Sequence, residues 1–446
     1  MKLRPYQNAA VNGLLTYFKR GLRALLLVIP TGGGKTVVFT TIAKRVIAKG
    51  KIVMIVCDRK ELINQANGNL QRLGLAPTVI APGYPQHLNN CYLASVDSLR
   101  NRELPKVDVI IIDEAHKQTF DKMLTRYKEE GQTPLIIGAT ATPLRTGSQT
   151  SLHEFYEEII EPTSTAELLR DGYLVPCRTF SVKMDLSTVK VTGNDYNNAA
   201  LFNEFNKATL YEGMLEQFEL RGPTKKTLIF NVNVQHSLNT VDAFRAAGYT
   251  AEHLDGNTPK GRREWLLEAY ARGEFQILSN CGVLTTGYDE PSIEQIIVNR
   301  ATKSYCLYSQ MAGRGSRLYP GKKDFILIDM AGNCYEHGLW GDAVKWELVK
   351  KKRINSGVAP VKICKVCEAM NPTSAKICFD CEAPFPVQKK ELLKGEFIEV
   401  KATRGLSVEM DFKSATLDQL KAYQKKMSYK NGWARIMFDK QKRGLN

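Results

Sequence analysis

No apolar run in this chain approaches the ~18 residues that a membrane-crossing helix needs. Nothing in the opening MKLRPYQ has the charged start and apolar core of a secretory leader. Both absences point to the cytoplasm and argue against a membrane partner. Of the ten cysteines, six are scattered singly, which excludes a disulfide framework of secreted type and fits a reducing compartment. Acid is in deficit: 46 Asp and Glu stand against 62 Lys and Arg, a formal charge of +16, so polyanions are the expected partners. Residues 340–446 alone carry 22 Lys and Arg against 12 Asp and Glu. No low-complexity tract or short-period repeat is present. With 446 residues, 43% of them hydrophobic, the chain is long enough for two or three globular domains.

What is present begins with "LLLVIPTGGGKTVVFTTIAKRVI" (25–47). The unbroken apolar run 25–29 predicts a strand buried on both faces of a parallel sheet. After Lys35, Val37, Val38, Ile42, Val46 and Ile47 recur at helical spacing. Thr31, Gly32, Gly33 and Gly34 therefore occupy a strand-to-helix turn, where backbone N–H groups converge on an anion at a helix N-terminus. Lys35 would reach the β- and γ-phosphates of a nucleotide and Thr36 would ligate Mg²⁺. The strict phosphate-loop pattern has glycine where Ile29 stands, and taken alone the turn also fits a chance Gly-Lys-Thr at a helix start. The run "VIIIDEAH" (109–116) sets Asp113 and Glu114 at the carboxyl end of another buried strand, the sheet edge where ligands bind. Asp113 would complete the Mg²⁺ shell and Glu114 would polarise the attacking water. A solvated acidic loop is the competing reading, weakened by the phosphate turn upstream.

Further strand runs at 51–56, 91–94, 107–112 and 135–137 alternate with helical patterns, and a second set follows at 227–230, 251–254, 275–278, 293–298 and 325–328. Two α/β lobes in tandem are the simplest account, broken near "EPTSTAELLRDGYLVP" (161–176). Arg314 and Arg317, expected on one helical face, would supply from the second lobe the positive charge that the γ-phosphate's far side lacks.

These patterns together resemble superfamily-two helicases over roughly residues 1–335. "LRPYQ" (3–7) is similar to the adenine-reading element, which would put Gln7 and Arg4 on the base. "CDRKELINQ" (57–65) and "LASVDSL" (93–99) resemble first-lobe nucleic-acid motifs, and "GATATP" (138–143) the motif that couples hydrolysis to strand grip through Thr140 and Thr142. "TLIFN" (227–231), "VLTTGYDEP" (283–291) and "QMAGRGSR" (310–317) resemble motifs four to six, which adds Gln310 to the catalytic candidates and Gly287 and Asp289 to the nucleotide-binding ones. The resemblance implies two RecA-like lobes with parallel sheets, interlobe coupling through His116, and single-strand contacts at Arg59, Ser95, Thr140, Thr285 and Thr286. The stretch 282–333, followed by paired CxxC motifs, resembles RadD-type helicases of bacterial DNA repair and their phage-borne relatives. That likeness implies ATP-dependent action on DNA in a bacterial cell and contact with single-stranded DNA-binding protein. A duplex-DNA translocase of a restriction system and an RNA helicase are the alternatives.

"CKVCEAMNPTSAKICFDC" (364–381) contains two CxxC knuckles ten residues apart, the spacing at which Cys364, Cys367, Cys378 and Cys381 close a tetrahedral structural Zn²⁺ shell. The tail "YQKKMSYKNGWARIMFDKQKR" (423–443) interleaves Tyr423, Tyr429 and Trp433 with lysines, as base stacking with phosphate contact requires. The same pattern fits a small helical cap with its aromatics packed inward. The expected organisation is a nucleotide-binding lobe over 1–165, a second lobe over 166–340, a basic linker over 341–359, a zinc ribbon over 360–386 and a basic tail over 387–446.

Overall fold

The aliphatic runs form strands because alternate side chains can be buried on both faces of a sheet. In the computed structural model the first sheet contains β1 (Ala24–Val28), β2 (Val53–Cys57), β3 (Thr78–Ile80), β4 (Cys91–Ser95), β5 (Val109–Asp113), β6 (Leu135–Thr140) and β7 (Glu158–Ile160), paired in parallel in the order β3-β4-β2-β5-β6-β1-β7. Leu25 and Leu27 of β1 enter one apolar cluster with Val38 and Phe39. Leu26 and Val28 enter another with Met54 and Val56. Each such fully buried aliphatic side chain contributes about 1.5–3 kcal/mol.

The second sheet contains β8 (Cys177–Ser181) and, after the short hairpin β9 (Val191–Thr192) and β10 (Asp195–Tyr196), β11 (Thr227–Asn231), β12 (Ala251–Leu254), β13 (Ile277–Asn280), β14 (Gln295–Asn299) and β15 (Phe325–Asp329). Its order is β12-β13-β11-β14-β15-β8, again parallel. The ten strands expected from apolar runs are all present. β3 and β7 escaped notice because three residues are too short to show a period, and β8 because its sequence, CRTFS, is mostly polar.

The described residues are 3–348 and 361–385, apart from 59, 82, 83, 85–88, 146–149, 183, 185, 188, 373 and 374, plus seven tail positions (416, 417, 420, 421, 435, 438 and 439). For residues 60–62, 64 and 65 only the backbone is described. Tyr423, Tyr429, Trp433 and most of the expected linker lie outside them. The described residues up to 385 belong to one compact unit and the seven tail positions to another. The chain crosses between the sheets more than once. The helix Thr165–Arg170, opened by a Ser164–Glu167 capping box, places Leu168 in the core of the second sheet. Trp340 packs there too, while Trp346 and Leu348 return to the core of the first sheet. Beyond this lies the antiparallel pair β16 (Val361–Ile363) and β17 (Met370–Pro372). It is anchored to the second sheet by Arg221, which donates to the Cys367 carbonyl at 3.1 Å and stacks on the Phe180 ring at 4.1 Å, and by an Arg178–Asp380 ion pair. No helix among the described residues is long and apolar enough to cross a membrane.

Gly138 in β6 is buried, and a methyl group there would collide with the ring of the wholly buried Tyr156. Gly138→Ala should therefore lower thermal stability, at the ~1–3 kcal/mol typical of overpacking. Calorimetry of the full chain checks this, and an unchanged melting temperature would contradict the packing.

Candidate active site

The helix Lys35–Ile47 begins without a side-chain cap and without an acidic residue in its first turn. Its N-cap, Gly34, sits at φ 77°, in the left-handed region that favours glycine. The free N–H groups of this helix end face a cleft of about 390 Å³, which makes it a site for an anion. Thr31, Gly32, Lys35 and Thr36 line the cleft. Gly33 instead turns its carbonyl away from it, accepting from the Tyr6 hydroxyl at 2.8 Å and the Gln7 amide at 3.3 Å. Arg4 stacks on the Tyr173 ring at 4.7 Å, and its backbone N–H donates to the Gln7 side chain. Tyr6 and Gln7 thus hold the loop through Gly33, Arg4 touches Tyr6, Gln7 and Tyr173, and neither Arg4 nor Gln7 is among the residues that line the cleft.

Asp113 and Glu114 enter from the carboxyl end of β5. Glu114 adopts φ 53°, unusual for a residue with a side chain, and its N–H donates to Asp113 Oδ1 at 3.0 Å. Burial and the Glu114 charge push the Asp113 carboxyl up to about 6. Burial also acts on Glu114, but the cations around it, Lys35 foremost at 3.8 Å from Oε1, outweigh it and hold that carboxyl below its usual range. His116 is held neutral by burial. Its Nδ1 is 2.8 Å from Thr140 Oγ1 and 3.4 Å from Glu114 Oε2.

The second sheet's segments close the cleft with Thr286, Gly287, Asp289, Gln310, Arg314 and Arg317. Gln310 Nε2 lies 3.5 Å from Glu114 Oε2. The two arginines do not share an α-helical face as expected. The helix Tyr305–Ala312 stops before them, Arg314 sits in a 3₁₀ turn, and Arg317 has extended backbone beyond it. Arg314 is held within its own lobe, donating to the Thr285 carbonyl at 2.6 Å and to that of Tyr288, with its buried Nε left without a partner among the described residues. Arg317 is held by Asp289 at 2.7 Å, and its buried Nη1 has no hydrogen-bond partner among the described residues. This nitrogen points at Gly32, where any side chain would strike it.

Among the described residues, the nucleic-acid candidates do not share one exposed surface. Arg59 lies outside the described residues. Ser95 is wholly buried and caps the turn Val96–Leu99 through the Ser98 N–H. Thr140 is wholly buried between His116 and Thr142. Thr285 contributes its carbonyl to Arg314, and Thr286 faces the nucleotide cleft. A residue not singled out from the sequence, Cys306, reaches across the lobes to His116 and Thr142. The available signal was its place one helical turn before Gln310.

The four paired cysteines converge, with ligand atoms all within 4.8 Å of one another. Cys364 and Cys381 are 3.6 Å apart and Cys367 and Cys378 3.5 Å, too far for disulfides and close to the ~3.8 Å edge of a tetrahedron of metal-bound thiolates. The two knuckles are near copies. In each, the fifth residue, Glu368 or Glu382, takes positive φ, and a backbone N–H donates to the first sulfur, from Val366 to Cys364 and from Asp380 to Cys378. The donor set fits a tetrahedral metal ion.

Two family models match the chain: the res subunit of type III restriction enzymes over residues 1–145 and the helicase conserved C-terminal domain over residues 208–319. The second falls on the lobe that carries Arg317. This chain is a superfamily-two helicase-type ATPase. Its dependence on nucleic acid is part of that family character. The helicase is 29% identical over 373 residues to a 51.5 kDa protein of Lactococcus phage (isolate 7-9), covering 81% of this chain and 78% of that one. It is 29% identical over 363 residues to the putative ATP-dependent helicase IRC3 of Saccharomyces cerevisiae, covering 74% of this chain but only 51% of that protein. Among solved structures, a fragment of a putative HsdR subunit of a type I restriction enzyme from Vibrio vulnificus YJ016 shares the fold, with TM-score 0.59, 23% identity and coverage of 75% of this chain and 65% of that one.

Of the buried acid pair, Asp113 carries a stability cost. Asp113 titrates higher in the folded protein than its ordinary 3.8, so holding its charge is unfavourable above that range and costs nothing below it. Asp113→Asn, melted without added Mg²⁺ or nucleotide, should raise the melting temperature at pH 8, with the gain shrinking as pH falls below about 6. A loss of stability, or a gain independent of pH, would contradict the electrostatic account.

Proposed function

We propose that this chain is an ATP-driven motor on DNA, hydrolysing nucleotide in the cleft between its lobes and converting lobe closure into movement along a strand. The observation that supports this most is the unsatisfied Nη1 of Arg317 poised over the uncapped phosphate loop. One lobe binds the phosphates and the other supplies the missing cation. In this reading the helix end and Lys35 bind the β- and γ-phosphates, Thr36 and Asp113 hold Mg²⁺, and Gln310 positions Glu114, which accepts a proton from the attacking water. Mg²⁺ would neutralise phosphate charge as it transfers. Arg317 meets the charge developing on the γ-phosphate, and Arg314 keeps the Thr285–Tyr288 loop in place. The cysteine cluster holds structural Zn²⁺. We assign the motor to DNA repair, recombination or replication of the RadD type, with single-stranded DNA-binding protein as a candidate partner.

The match of residues 1–145 to a restriction subunit favours a second reading, a duplex translocase of a defence system. ATPase rates with no polymer, single-stranded DNA, duplex, fork and RNA in parallel test the substrate class. Strand separation on a fork, as against triplex displacement alone, separates the two DNA readings. Stimulation by RNA alone would overturn both.

Lys35→Ala should remove turnover while leaving the fold and metal content intact. Glu114→Gln should still bind ATP yet hydrolyse it poorly, because its role is toward water and not toward nucleotide. Loss of nucleotide binding in Glu114→Gln would contradict its assignment.

Protein purified without chelator should contain one zinc per chain. Because a small ribbon draws its folding energy from the ion, on the order of 10 kcal/mol apparent, Cys364→Ser should unfold the ribbon while sparing ATP binding. Metal-free protein with a folded ribbon would refute the zinc site.

A further inference from the structure

Four side chains from the two lobes close a hydrogen-bonded ring beside the acid pair. The Thr142 hydroxyl donates to Cys306 Sγ at 2.8 Å, and Cys306 Sγ lies 3.4 Å from His116 Nε2. His116 Nδ1 lies 2.8 Å from Thr140 Oγ1, and the Thr140 hydroxyl donates to the Thr142 carbonyl at 3.1 Å. The proton positions follow from the partners. Thr140 spends its hydroxyl proton on the Thr142 carbonyl, so its oxygen accepts from Nδ1–H. That leaves Nε2 as the nitrogen with the lone pair, in need of a donor. Cys306, already accepting from Thr142, has its S–H to give. Burial pushes the thiol up to about 12 and the imidazole down, so both groups stay neutral and every link of the ring is satisfied.

His116, Thr140 and Thr142 belong to the first lobe; only Cys306 comes from the second. It lies on the helix Tyr305–Ala312, one turn before Gln310, so one helix face meets both His116 and Glu114. We infer that Cys306 is a positioning residue, whose S–H holds His116 when the lobes meet and so fixes the imidazole that lies 3.4 Å from the Glu114 carboxylate. This rests on the reading of Glu114 as the group that acts on water. When the lobes part, Nε2 and the Thr142 hydroxyl lose their partner together, so the arrangement of the hydrolytic site depends on closure. Simple packing gives a different expectation. If Cys306 only filled space, an apolar replacement would serve at least as well as a polar one.

The full chain with Cys306→Ser, Cys306→Ala and Cys306→Val separates these. With oligo-dT present, Cys306→Ser, which retains a donor, should keep kcat within about twofold, whereas Cys306→Ala and Cys306→Val should lose about five- to tenfold, the range for one buried hydrogen bond. ATP affinity and melting temperature should change little in all three. Adding Thr142→Val to Cys306→Ala should cost less than the sum of the separate losses, because both break one ring. The inference is overturned if Cys306→Ala or Cys306→Val matches the wild type, or if Cys306→Ser is the most impaired of the three. If oligo-dT does not stimulate the wild type, the reading as a motor on single-stranded DNA fails, and the same three-way comparison on the unstimulated kcat still decides the role of the thiol.

Discussion

The uncapped amino end of the helix Lys35–Ile47 is the constraint on which the rest of the site depends. A helix end with no side-chain cap and no acid in its first turn leaves several N–H donors for a ligand. Every surrounding choice serves to leave that end open. β1 enters the loop from a position buried on both faces, and Tyr6, Gln7 and Gly33 lock the loop from behind. The carboxylates of Asp113 and Glu114 arrive from β5, two strands away, and the charge buried on Asp113 carries an electrostatic cost that Lys35 partly offsets.

Much of this was legible in the sequence because the signals are local. A buried apolar run ending in three glycines, Lys35 and Thr36 specifies a strand, a turn and a helix start within a dozen residues. The CxxC pairs likewise declare their own convergence, and the structure brings all four sulfurs together. What was not legible depends on contacts between distant segments. Nothing near Gln7 says that its amide is spent on Gly33. β8 is a strand only because β15 lies beside it. Arg314 and Arg317 look equivalent along the chain, yet the helix ends at Ala312 and sends them to different partners.

That divergence sharpens the account of the cleft. Both Nη groups of Arg314 donate to carbonyls of its own lobe, which fixes the guanidinium there, and its buried Nε has no partner among the described residues. Arg317 is anchored through Nε by Asp289 and leaves Nη1 buried without a partner, an arrangement that costs free energy until an anion arrives. An orphaned buried donor aimed at a phosphate loop is a stronger indication of function than the motif alone, because a solvated basic face would have no reason to bury it.

The central claim is that the second lobe completes the hydrolytic site through Arg317. The most direct test is single-turnover hydrolysis by Arg317→Ala beside equilibrium binding of a fluorescent ATP analogue, both with saturating single-stranded DNA. The account predicts nucleotide binding close to wild type and a hydrolysis rate reduced by about 10³-fold or more, the effect of losing a phosphate-directed arginine. A hydrolysis rate near wild type would show that the first lobe works alone and would contradict the account.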